Sequence, residues 1–192
     1  MRVLLALVLT LLVAAPGRAD DKKRRAEQLK ELDQLSSRLN RNATNSIKTD
    51  EREFLHERIA ELLNRARKTA DDRYLFGRLL AAADDFLDAS DQIQDAMEDG
   101  PARSDTRERA ARELEATYFD LIQGEHFARQ SGDAHAKAYI RAGRRLYQSA
   151  RAAYEQEEYA KARDLGEAAR EVVAGIESLA QAVVRIPTPP KL

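Results

Sequence analysis

From Leu29 to Val183, apolar residues recur at every third or fourth position, and no run alternates or gathers β-branched residues as a strand would. That spacing matches a helix, which turns about 100° per residue, and not a pleat that repeats every two. Breakers are scarce: the 192 residues include 8 Gly and 5 Pro, while 34% are charged. The combination suits long amphipathic helices joined by short turns, and short turns make neighbours antiparallel. The predicted fold class is therefore all-α, an antiparallel bundle of about five helices in one domain. With Trp absent and aromatics at 6%, the core has to be built from Leu, Ala, Ile and Val.

Residues 1–19 stand apart from this pattern. Arg2 supplies a positive start, Val3 to Ala15 is an apolar run too short for a comfortable membrane span, and Gly17-Arg18-Ala19 offers small residues at a cleavage site. The stretch reads as a secretory signal cut after Ala19, which places the mature chain in a periplasm or outside the cell. Loss of Arg2 and Arg18 leaves 30 basic against 33 acidic residues and moves the net charge from −1 to −3. Near balance argues against bulk nucleic-acid binding. The absence of Cys excludes disulfides, thiol catalysis, thiolate metal sites and covalently attached haem, and it removes the anchor of a lipoprotein. No cofactor is expected.

The expected elements follow in order. A first helix runs from about Asp21 to Asn40, with Leu29, Leu32, Leu35 and Leu39 as a thin seam. The basic run Lys22 to Arg25 reads as a solvated end, and Asn40 to Ser46 as a polar loop that contains the glycan-acceptor pattern Asn42-Ala43-Thr44. Asp50-x-x-Glu53 has the form of a capping box, with Leu55, Ile59, Leu62 and Ala66 continuing inward. The pattern favours one long second helix from Asp50 to Glu98, kinked near Thr69 to Asp72 and stopped by Gly100-Pro101. After a second capping box, Asp105-x-x-Glu108, a third helix presents Leu114, Tyr118, Leu121, Ile122 and Phe127 on one broad face. Ser131-Gly132-Asp133 is a turn. The fourth helix reaches about Gln156 with Tyr139, Ala142, Leu146, Ala150 and Ala153 inward, and the fifth runs from Tyr159 to about Val184. Residues 20–184 thus form the helical domain: 20–99 holds the first two helices and 105–184 a three-helix sheaf. The Pro-rich tail 185–192 is extended.

The unit of the fourth helix, turn and fifth helix resembles a single tetratricopeptide hairpin across residues 146–174. Leu146, Ala150, Tyr159, Ala162 and Ala169 occupy that repeat's large, small, aromatic, small and small positions. Ala153, Gly166 and Ala174 depart from its pattern, Glu157-Glu158 replaces its Gly-Asp turn, and no tandem copy follows. The resemblance implies a helical scaffold that binds other proteins.

Few residues offer chemistry. Glu53-x-x-His56 matches half of the Glu-x-x-His element of di-iron carboxylate bundles, and Gln123-x-x-His126 is the nearest second half. Glu53, His56 and His126 are therefore the candidate metal ligands, set against ordinary surface or boundary histidines. No zinc-protease, phosphate-loop or serine-hydrolase motif is present.

The remaining signal lies in two charged ribbons. Asp84, Asp88, Asp91, Asp95 and Glu98 step by 4, 3, 4, 3 in a stretch from Leu79 to Ala102 that has no Lys or Arg. They share one stripe of a helix, opposite Phe86, Ser90, Ile93 and Met97. Lys137, Arg141, Arg144 and Arg151 step by 4, 3, 7 in a stretch from Ala134 to Tyr154 that has no acid. Each ribbon is either the solvated back of its helix or a recognition surface for a protein partner, a second copy, or anionic lipid or polysaccharide. The reading carried forward is an exported, non-catalytic helical scaffold or adaptor acting by protein–protein interaction through such faces. The alternative is a metal- or small-ligand-binding bundle that uses Glu53 and His56.

Overall fold

The computed structural model describes residues 17–44, 47–98 and 106–184, without the side chains of 17–22 and 24. Most of the expected signal peptide, side chains in the basic run, the Gly100-Pro101 stop, Asp105 and the Pro-rich tail lie outside the described residues. Six helices are present among the described residues: α1 (Gly17–Thr44), α2 (Asp50–Lys68), α3 (Arg73–Met97), α4 (Arg107–Gln130), α5 (Ala136–Glu155) and α6 (Tyr159–Val183). The chain is all-helical there, as the periodicity demands.

The single long second helix is not observed. Its residues form two helices, α2 and α3, that fold back on one another. The stop is local chemistry: the Thr69 backbone N–H bonds to Arg65 and Ala66, and its hydroxyl donates to the same two carbonyls. Asp72 then restarts the chain by accepting from the Leu75 N–H. The fold-back has a hydrophobic reason. Leu55, Ile59, Leu62 and Ala66 on α2 and Phe76, Leu79, Leu80 and Ala83 on α3 are all buried in one core, which a straight rod could not close. The other starts are displaced by one residue from the expected boxes. Thr49 caps α2 by accepting from Arg52 N–H, and Thr106 caps α4 by accepting from Arg109 N–H.

α3 and α6 form the central, most extensively packed pair. Phe86 of α3 lies against Gly175 of α6, where a Cβ would overlap the ring. Tyr139 of α5 is 1% exposed and stacks on Phe86 at 4.7 Å and on Phe54 at 5.6 Å between centroids. α2 packs on α3; α1 lies along both, holding on through Leu32 and Leu35. On the other side α4 and α5 pack on α6 and on each other. The turn from α5 to α6 is tight, with Glu157 at φ 63°, a left-handed backbone that a glycine adopts at no steric cost.

α4 departs from expectation. Its buried residues are Ala110, Thr117, Leu121 and Gly124, a narrow strip of mostly small side chains. Gly124 receives Val173 and Ile140, and Leu121 fills the space beside Gly143. Tyr118 and Ile122, expected inward, are each 52% exposed, and Phe119 is 56% exposed. The reason is coverage: among the described residues α5 and α6 are the helices packed on α4, and its apolar arc is wider than those two cover.

Candidate functional site

The two ribbons meet different fates. On α3, Arg38 of α1 reaches across Asp84, Asp88 and Asp91. Its Nη1 donates to Asp84 Oδ1 at 3.0 Å, its Nη2 to Asp88 and Asp91, and Asn42 donates to the second oxygen of Asp91. Burial alone would depress the Arg38 guanidinium, but its bonds to Asp91 and Asp88 outweigh that and hold it above its ordinary range. Burial, and then the charge of Asp88, raises the Asp84 carboxyl. Asp95 is half-buried, and exposed Glu98 accepts from Gln94. The acidic ribbon therefore serves largely as the seat of α1, and it does not face the basic ribbon.

The basic ribbon stays open. Lys137, Arg141, Arg144 and Arg151 are all exposed on the outer side of α5. Arg144 pairs with Glu125 of α4, and Arg151 lies 3.7 Å from Glu155 one turn on. Lys137 and Arg141 make no hydrogen bond or ion pair among the described residues. Beside this row run the uncovered α4 side chains: Tyr118 packs edge-on against Phe119 at 5.8 Å and leans toward Tyr147 of α5 at 6.3 Å. Between the helices lies a groove of about 310 Å³ lined by Ala111, Leu114, Tyr147, Arg151, Tyr154 and Glu155. Tyr147 and Tyr154 are half-buried on its α5 side, and Arg107 Nε donates to the Tyr154 hydroxyl at 3.1 Å.

The candidate metal ligands are not brought together. Glu53 is exposed, while His56 is half-buried with Nε2 2.8 Å from Ser90 Oγ. His126 is exposed on α4 beside Gln130. Among the described residues no three His, Cys, Asp or Glu side chains are grouped so as to hold a metal ion. Burial, and then the neighbouring Arg52 charge, lowers the His56 pKa.

Arg52 is the residue that sequence reasoning missed. It is 2% exposed. Its Nε donates to Ser90 Oγ at 3.1 Å and its Nη1 to the Ile47 carbonyl at 2.9 Å and to Gln94. Burial pushes it below the ordinary arginine range, opposed by the charges of Asp91 and Glu98. The serine–histidine pair within this cluster has the distance of a catalytic dyad but not its access. Ser90 is fully buried, and its oxygen already accepts from Arg52, so it ties α2 to α3. The one sequence signal was Ser90 itself, a hydroxyl on an otherwise apolar face that has to find a partner.

A second carboxylate cluster lines the seams of α6. Asp85 accepts from Ser178 at 3.1 Å, yet burial pushes its pKa up to about 6. Glu171 is likewise raised to about 6, by burial and then by Asp85 and Asp88. On α4, Asp120 accepts from Arg170 at 2.6 Å and Glu113 from the same side chain at 3.3 Å.

No described helix is long and apolar enough to cross a membrane. In comparisons with known proteins the chain matches no family model, no curated protein and no solved structure.

Proposed function

We propose that the protein is an exported, non-catalytic helical scaffold that acts by binding another protein through the α4–α5 face. The observation that carries this reading is the company the basic ribbon keeps. Tyr118, Phe119 and Ile122 stand more than half exposed on α4, alongside the acid-free row of Lys137, Arg141, Arg144 and Arg151 on α5. Contiguous apolar side chains rimmed by charge are how a binding surface differs from scattered exposed residues. The resemblance of α5 and α6 to a tetratricopeptide hairpin points the same way, and the signal-like residues 1–19 support export. The acidic stripe is left out of the proposed surface because α1 already occupies Asp84, Asp88 and Asp91. Glu53, His56 and His126 give the metal-binding alternative no support, since they do not converge.

The test is capture of a partner from the protein's own envelope fraction at low and high salt. Replacing Arg141, Arg144 and Arg151 together with Gln should weaken capture and flatten its salt dependence. Unchanged capture by the triple variant overturns the proposal.

A further inference from the structure

We infer that the α4–α5 groove receives an amphipathic helix whose acidic edge lies along α5; this rests on the scaffold reading and names its partner's chemistry. The shape comes first. Ala111, Leu114, Tyr118 and Ile122 step by 3, 4, 4 along α4, and therefore stack along one side of it for about three turns. Tyr147, Arg151 and Tyr154 form the facing wall on α5, with Glu155 at its end, 3.7 Å from Arg151. Tyr118, Phe119 and Ile122 together leave on the order of 300 Å² uncovered, the scale of a functional patch on a monomer. A helix laid between two antiparallel helices continues the packing that α4, α5 and α6 already use. An extended peptide pairing by backbone would need a sheet edge, and there is no strand among the described residues.

Charge selects the partner and its orientation. The α5 wall carries Lys137, Arg141, Arg144 and Arg151 with no acid from Ala134 to Tyr154. The α4 side is mixed, with Glu115 exposed and Glu125 held by Arg144. A helix with apolar anchors in the groove and Glu or Asp on one edge satisfies both walls. A flat anionic bilayer fits less well, because it would meet Glu108, Arg112 and Glu115 of α4 alike and could not follow the groove down to Leu114. A second copy presenting this same face would set arginine row against arginine row.

The experiment uses the mature chain and two fluorescent peptides of about five turns, each with leucines on one face. One carries Glu along its flank and the other Lys. In fluorescence anisotropy the Glu peptide should bind at least about tenfold more tightly than the Lys peptide, and the gap should close as salt rises. Arg144→Glu with Arg151→Glu should reverse the preference. Ile122→Asp should abolish binding of both peptides while circular dichroism and melting temperature stay near the parent's. Equal binding of the two peptides, no binding of either, or binding indifferent to Ile122→Asp each overturns the inference. So does binding to phosphatidylglycerol vesicles in place of the Glu peptide, or a sedimentation dimer dissolved by Ile122→Asp. If envelope capture still depends on the arginines while the Glu peptide fails, only this inference falls. If neither depends on them, the scaffold reading falls with it.

Discussion

α3 and α5 carry charged stripes of similar length and spacing, each opposite a buried face, yet α3's stripe is built over and α5's is open. The difference lies in the neighbour. α1 brings Leu32 and Leu35 to the core, and Arg38, one turn further on, lands among three aspartates. The helix beside α5's stripe is α4, which offers an apolar ridge and, among the described residues, one ion pair, from Glu125. A stripe of one sign is therefore not a site in itself. It is a repulsion that another element relieves on α3 through Arg38 and that on α5 is relieved only in part, through Glu125 and Glu155, so most of that stripe stays in water.

Four measurements would break or sharpen that comparison. The largest effect is expected at the seam beneath the covered stripe. Gly175→Ala forces a Cβ into the Phe86 ring and should cost about 1–3 kcal/mol in denaturant unfolding. A smaller loss would mean that α3 and α6 can part without penalty.

Next comes the contrast itself. Arg38→Ala removes the shared partner of three carboxylates, with Arg38 only 29% exposed, and should cost about 1–2 kcal/mol. Hydrogen exchange should quicken in α1 and leave α5 unchanged. Arg144→Gln, on the open stripe, should cost less than about 0.5 kcal/mol. Equal losses at the two positions would erase the distinction between them.

The third is a pH effect confined to the covered side. Asp85 and Glu171 are raised to about 6 in the folded protein, from ordinary values of 3.8 and 4.5. A raised acid holds its proton more tightly when folded, so ionisation costs stability. That cost is complete above the folded value and disappears as pH falls through about 6 toward the unfolded values. These two groups push the melting temperature up between pH 7 and pH 5, against half-buried His56, whose lowered pKa costs stability as pH falls, and Asp85→Asn with Glu171→Gln should remove their share of the slope. An unchanged slope in the double variant would remove these two groups from the account.

The smallest effect is expected at the turn that leads out of the open helix. Glu157 holds φ 63°, so Glu157→Gly should stabilise by less than about 1 kcal/mol, the steric relief being partly offset by a more flexible unfolded chain.

Much of the architecture was legible in the residues. The inward set of α5, from Tyr139 to Ala153, could be read from spacing alone, and the α2 and α4 starts fell within one residue of the observed caps. Both ribbons could be recognised as surface stripes, because the face of a helix on which a residue sits follows from its number. The fold-back at Thr69 to Asp72 was not legible, since the apolar pattern stays in phase across it and a rod and a hairpin write the same local code. Arg52 could not be distinguished from its exposed neighbours, because its burial depends on Ser90 and Gln94, which approach only once the hairpin closes.

The sequence by itself determined that this chain is helical, where its faces turn, and that two of those faces carry opposite charge. Those are local matters, settled by a backbone that repeats every few residues. Only the tertiary structure decided that α1 would cover Asp84, Asp88 and Asp91 while Tyr118, Phe119 and Ile122 stayed in water. What covers a face depends on which distant segment arrives there and on how much apolar surface it brings, and no local period encodes that.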